Sequence, residues 1–192
     1  MAGACANHSK IKRSGPIKFA RRQFITPILA ALFILAAQVA ARAETVNIVA
    51  LGASNTWGWG VARHRGYPEQ LVAMLRARGY DVHLKNAGVI GDTTSGMLRR
   101  IRKVVPDDTQ VVIFQPGSND LRFFGTKEQR ATNIAAIVSE LNARNIKVIV
   151  FDWEMPAHYY QLDRIHFTTE GHTEIASRLL PQVISAIEPP ER

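Results

Sequence analysis

The chain has 192 residues, 46% of them apolar and 21% charged, which is the composition of an ordinary globular protein and excludes collagenous, low-complexity and disulfide-scaffold classes. Its formal charge of +8 is concentrated in residues 1–43, which hold seven basic residues (Lys10, Lys12, Arg13, Lys18, Arg21, Arg22 and Arg42) and no acidic one. Taking those seven from the 24 leaves 17 basic against 16 acidic residues in 44–192, and so nearly neutral a body has no electrostatic footprint for nucleic acid.

Residues 1–43 read as an export leader. A basic segment ending at Arg22 precedes an apolar run from Phe24 to Ala41, and Ala41-Arg42-Ala43 is a small-x-small cleavage pattern. The expectation is a removed signal peptide over 1–43 and one domain over 44–192, periplasmic or secreted. Arg21-Arg22 followed by Gln23, Phe24 and Ile25 resembles a twin-arginine motif without the Ser or Thr that usually precedes the pair. Thr26, Pro27 and Gln38 weaken the run as a bilayer span, so membrane contact is expected only through the leader, if it stays uncleaved. The single cysteine, Cys5, lies in this leader, which leaves the body without a disulfide, a thiolate metal site or a cysteine nucleophile.

Along the body, strand and helix patterns alternate. Val46 to Leu51 is a short apolar run ending at Gly52 and predicts a buried strand. Pro68 to Arg78 carries Leu71, Met74 and Leu75 at helical spacing, with Pro68 suited to the first turn and Gly79 to the C-terminal cap. Tyr80 to Asn86 alternates Val82 and Leu84 with polar residues, a second strand. Thr93 to Lys103 predicts a helix capped by Asp92 or Thr93. Val111 to Gln115 is the third strand, Lys127 to Arg144 an amphipathic helix, and Lys147 to Phe151 the fourth strand. A last helix runs from Thr169 toward Ile187, broken or kinked at Pro181. This alternation predicts an α/β fold, a doubly wound parallel sheet with ligands at the C-terminal strand ends.

The chemically informative residues fall at those ends. The first strand leads into Gly52-Ala53-Ser54-Asn55-Thr56, the second into Asn86-Ala87-Gly88, the third into Gly117-Ser118-Asn119-Asp120, and the fourth into a loop holding Asp163-Arg164-Ile165-His166. A hydroxyl, an imidazole, a carboxylate and amide donors are what nucleophilic acyl transfer needs: an attacking atom, a proton acceptor, a group to fix its tautomer, and donors for the oxyanion. Asp152, Glu154, His158, Asp163 and His166 crowd into 15 residues, yet Pro156 interrupts any helix and no HExxH pattern occurs, so no metal is expected. Acyl transfer through a serine needs no organic cofactor either, and none is expected. Trp57, Trp59, Tyr159 and Tyr160 flank the predicted site and are candidates to line a substrate pocket. His64, His83, His158 and His172 read as surface or loop residues.

The four blocks LGASNTWGWG, NAGVIGDTTSGM, PGSND and DRIHFTTEGH, in that order and each after a predicted strand, resemble the SGNH (GDSL-like) hydrolases, which include bacterial esterases, thioesterases and lysophospholipases. The resemblance covers essentially all of residues 44–192. It implies Ser54 as nucleophile, His166 as general base and then acid, Asp163 as the orienting carboxylate, and an oxyanion hole from the amides of Ser54 and Gly88 and the Asn119 side chain. It implies a small-molecule ester, thioester or lysolipid substrate and a lipase-like hydrolase activity, and leaves the oligomeric state open. The chain departs from the family pattern twice. Ala53 stands where the family has Asp, and only 11 residues, Asp152 to Leu162, separate the fourth strand from Asp163. That connection is too short for the extra helix and strand of larger members, so a minimal four-stranded sheet in the order 2-1-3-4 and a more open pocket are expected. The rival from another class is a non-catalytic ligand-binding protein on a degenerate version of the fold.

Overall fold

Four short apolar segments zip side by side into one sheet: β1 Val46–Gly52, β2 Val82–Gly88, β3 Val111–Phe114 and β4 Lys147–Val150. The computed structural model describes Gly3, residues 45–122 and residues 125–188. The export leader expected over 1–43 therefore lies, Gly3 apart, outside the described residues. All strand pairs are parallel, in the order β2-β1-β3-β4. The register sets Leu51 between Ala87 and Phe114, and Gly52 opposite Gly88, so the first two strands end level with one another.

Because successive side chains of a strand point to opposite faces, β1 and β3 must be apolar on both. Ile48, Val111 and Ile113 pack against α2 (Tyr67–Arg76) and α6 (Thr169–Ile187) through Leu71, Leu75, Ile175, Leu179 and Val183. Val49, Leu51, Val112 and Phe114 pack on the other face against α3 (Thr94–Val104) and α5 (Lys127–Ala143) through Met97, Ile101, Ile137 and Leu141. Burying each such side chain contributes about 1.5–3 kcal/mol. Two single-turn helices, α1 (Ser54–Trp57) and α4 (Asn119–Arg122), follow β1 and β3 directly.

The long helices start where their caps dictate. Thr93, Thr126 and Thr168 each accept a hydrogen bond from the backbone N–H three residues on. At the end of α2, Gly79 takes a left-handed φ of 87° while Tyr80 N–H closes onto the Leu75 carbonyl. That closure uses Tyr80 in the turn, which is why β2 begins at Val82 rather than at Tyr80. Of the break or kink expected at Pro181, the break does not occur: α6 continues to Ile187. Proline removes one helical N–H bond, but Leu179, Leu180 and Val183 around it are buried and hold the helix to the core.

His172 also departs from expectation. It is fully buried in α6, one turn before Ile175 and Ala176, where its ring stacks on Tyr67 at 6.3 Å and its Nδ1 accepts the Tyr67 N–H at 3.2 Å. His64, His83 and His158 are exposed as expected. The connection from β4 to Asp163 holds only a 3-10 turn, Ala157–Tyr159.

Candidate active site

At the end of β1 the chain turns through Ala53 and starts α1 at Ser54. The turn is tight: a Cβ on Gly52 would stand 2.1 Å from Thr56 Oγ1. Thr56, fully buried, donates to Gln115 Oε1 at 2.8 Å and meets the Tyr67 hydroxyl at 3.0 Å, so α1 is pinned from below to β3 and α2. Ser54 is 8% exposed, and its backbone N–H at the helix N-terminus makes no hydrogen bond among the described residues.

Ser54 Oγ lies 3.0 Å from His166 Nε2, and His166 Nδ1 lies 2.6 Å from Asp163 Oδ2. The other oxygen of Asp163 accepts the backbone N–H groups of Ile165 at 2.9 Å and His166 at 3.0 Å. Above all the His166 backbone N–H, opposed by desolvation and helped by the His166 ring and the Ile165 N–H, pulls the carboxyl from its usual value to about 2. An ionised Asp163 can only accept, so Nδ1 carries the imidazole proton and Nε2 is left to accept from Ser54. Arg164 between them takes a left-handed φ of 57°, a conformation that costs a non-glycine residue about 1 kcal/mol and that turns Asp163 and His166 to one side.

The third block is anchored to α3. Asn119 Nδ2 donates to the Asp92 carbonyl at 2.8 Å. Asp120, buried, accepts from Thr94 N–H at 3.0 Å and Thr94 Oγ1 at 2.6 Å, and Asn133 supports that hydroxyl at 2.9 Å. A carboxylate at a helix N-terminus satisfies unpaired amides and complements the helix dipole. The sequence offered Asp120 only as a neighbour of Asn119.

Gly88 does not sit as expected for an oxyanion donor. Its N–H is held by Asn86 Oδ1 at 3.0 Å, and its lack of a side chain serves packing, since a Cβ there would lie 2.3 Å from Trp57 N. Gly91, in a turn at φ 75°, has an N–H without a partner among the described residues and precedes the Asp92 carbonyl that Asn119 holds.

Ala53 is buried, its methyl 3.7 Å from where a Gly117 Cβ would stand. The loop is tied without a carboxylate there. Arg100 reaches the Gly52 carbonyl at 3.1 Å while its Nε pairs with Asp92 at 2.7 Å, and Val89 N–H joins the same carbonyl at 3.1 Å.

Of the four aromatics, Trp59 approaches the His166 ring at 5.8 Å, and Trp57 lies 6.3 Å behind it with the Arg63 guanidinium 5.7 Å from its face. Tyr160 lines a cleft of about 340 Å³ beside the triad, with Asn55, Leu121, Trp153, Arg164 and Phe167. Neither Trp57 nor Trp59 lines it, and neither does Tyr159, contrary to the pocket role expected for them. The Tyr159 ring packs on His158 at 4.1 Å and its carbonyl accepts Thr168 N–H.

Asn55 was missed as a functional candidate. Its Nδ2 donates to the Ile165 carbonyl at 3.0 Å and its Oδ1 accepts Phe167 N–H at 3.1 Å, contacts spanning 110 and 112 residues that no local pattern announces.

The family model described as GDSL-like lipase/acylhydrolase matches residues 50–161, ending just before Asp163. Esterase TesA of Pseudomonas aeruginosa is 27% identical over 130 residues, covering 67% of this chain and 63% of its own length. The chain thus spans less than two thirds of that relative. Among solved structures, one of TesA superposes with a TM-score of 0.67 at 19% identity over 75% of this chain and 100% of the other, a likeness of fold. AlinE4, described as an esterase of the SGNH-hydrolase family, gives 0.56 at 26% identity over 76% of this chain and 98% of its own.

Proposed function

The chain belongs to the GDSL-like lipase/acylhydrolase family, and from that membership we propose that it is an exported serine hydrolase cleaving carboxylic esters or thioesters through an acyl-enzyme. The observation that carries the chemistry is the unbroken chain from Ser54 Oγ through the His166 ring to Asp163, at 3.0 and 2.6 Å. Ser54 attacks the acyl carbonyl carbon as its proton passes to His166 Nε2. Asp163 holds the Nδ1 proton and stabilises the imidazolium that results. The carbonyl oxygen, now negative, takes hydrogen bonds from the Ser54 N–H and the second Asn119 Nδ2 hydrogen. The third donor is the Gly91 N–H, because the Gly88 amide is already bonded to Asn86. Collapse expels the alcohol or thiol with the proton from His166, and water repeats the sequence to free the acid and Ser54.

The cleft beside Asn55 and Tyr160 suits the acyl or leaving group, and Trp59 stands beside the His166 ring. Similarity to esterases, the one named TesA above, supports ester cleavage; the basic-apolar leader supports export.

Hydrolysis of a p-nitrophenyl ester series of increasing chain length by the whole protein tests the proposal, with Ser54→Ala and a chelator in parallel. Turnover should fall at least about a thousandfold in Ser54→Ala and persist in chelator. A folded protein with no turnover, and no fluorophosphonate label on Ser54, would sink the enzyme in favour of a ligand-binding protein.

A further inference from the structure

The residue after the nucleophile makes no contact with the reacting atoms, yet it grips the backbone on both sides of the base. Asn55 Nδ2 donates to the Ile165 carbonyl at 3.0 Å, and Asn55 Oδ1 accepts the Phe167 N–H at 3.1 Å. The spacing is that of a neighbouring strand: a carbonyl and an N–H two residues apart, paired here by one carboxamide rather than by a peptide. Its orientation is unambiguous, because turning the amide over would set oxygen against oxygen and N–H against N–H.

The other polar groups of this segment are held from elsewhere. Asp163 takes the Ile165 and His166 N–H groups, Gln161 N–H takes the His166 carbonyl at 2.7 Å, and Gln161 Nε2 takes the Phe167 carbonyl at 2.8 Å. Those bonds shape the loop internally and orient His166 toward Asp163. Gln161 Nε2 also donates to the Trp59 carbonyl at 3.0 Å, an indirect tie to the turn after α1 that touches neither Ser54 nor the groups flanking His166 on the Asn55 side. Among the described residues, Asn55 supplies the only direct hydrogen bonds from α1 to residues 165–167 other than the Ser54–His166 contact itself. Asn55 is attached to Ser54 by a single peptide bond, and its backbone is rigid because Thr56 is pinned to Gln115 and Tyr67.

We propose that Asn55 is a positioning residue that sets the separation of the Ser54 hydroxyl and the His166 imidazole. The inference rests on the reading of Ser54 and His166 as the reacting pair. Proton transfer requires the two atoms within hydrogen-bond reach, and a displacement of about 1 Å costs on the order of a hundredfold in rate. Removing the clamp leaves the Asp163–His166 unit intact, since its bonds are local, but lets it drift from Ser54.

The test compares Asn55→Ala and the near-isosteric Asn55→Asp, which keeps an acceptor for Phe167 and loses the donor to Ile165. Both should lower kcat about 10- to 100-fold while KM stays within about twofold, and fluorophosphonate labelling of Ser54 should slow in parallel. Wild-type kcat in either folded variant, or a loss carried by KM alone, would overturn the proposal. If Asn55→Ala does not fold, Asn55→Asp decides. A readout independent of turnover keeps the two proposals separable: Ser54→Ala should shift the NMR signal of the His166 ring in the wild-type background and leave it unmoved in Asn55→Ala. Equal shifts in both backgrounds would overturn the positioning role even in a protein that hydrolyses no ester, and absence of all ester turnover with the expected NMR result would count against the function alone.

Discussion

Asn119 gives one carboxamide hydrogen to the Asp92 carbonyl at 2.8 Å, and that bond fixes the plane in which its second hydrogen points. The β3 loop is therefore aimed by the turn that follows β2, with Asp120 on Thr94 as a second anchor. Loss of one preorganised oxyanion donor costs on the order of 100- to 1,000-fold in kcat. Asn119→Ala should show that loss in steady-state hydrolysis with a small change in KM. A rise in KM with kcat unchanged would assign Asn119 to substrate binding instead.

His172 makes the fold sensitive to acid. Burial first, and the like charge of His166 second, lower its folded value to about 4, whereas the imidazole of the unfolded chain takes a proton near 6.5. Between those values the unfolded state binds more protons, so stability rises with pH across the window. The contribution is whole above about pH 6.5 and is lost as pH falls toward 4, on the order of 3 kcal/mol in all. His172→Asn keeps an acceptor near the position of Nδ1 for the Tyr67 N–H. In urea unfolding at a series of pH values, the stability gap between wild type and this variant should narrow from pH 7 to pH 4 and then stay constant. A gap independent of pH would refute the assignment.

Gly88 separates β2 from α1 by the width of a hydrogen atom. Adding a methyl would place carbon 2.3 Å from Trp57 N and 2.7 Å from the Thr56 carbonyl carbon, both backbone atoms that cannot rotate away. Gly88→Ala should destabilise the protein by about 1–3 kcal/mol, as overpacking does, and should also displace α1 with Ser54 on it. Thermal melts and labelling of Ser54 by a fluorophosphonate would both register the change; a variant with unaltered melting and labelling would contradict this packing.

Much of the fold was legible because its strands are short apolar runs between turn residues and its long helices carry threonine caps and apolar spacing. The sheet order was legible through the family blocks and the short connection after β4, since periodicity does not order strands. The Asp163-x-x-His166 spacing displayed a local pair. What stayed hidden was non-local or disguised. Asn55 acts through backbone groups 110 and 112 residues away, which leaves no periodic trace. His172 looked like a surface residue by polarity alone, although 172, 175, 176 and 179 share a helical face. The Gly88 amide depended on where the Asn86 side chain turned, a rotamer that no spacing specifies.

Among the described residues the four-stranded sheet has two open edges, β2 and β4, and an open edge is a template for another strand. The chain answers on both sides. Along β2 the exposed positions are His83 and Lys85; β4 is only four residues long, opens with exposed Lys147 and ends with exposed Val150. Positively charged or polar side chains on short, twisted edges oppose edge-to-edge addition. Replacing Lys85 or Lys147 with a β-branched apolar residue should therefore show as aggregation during refolding.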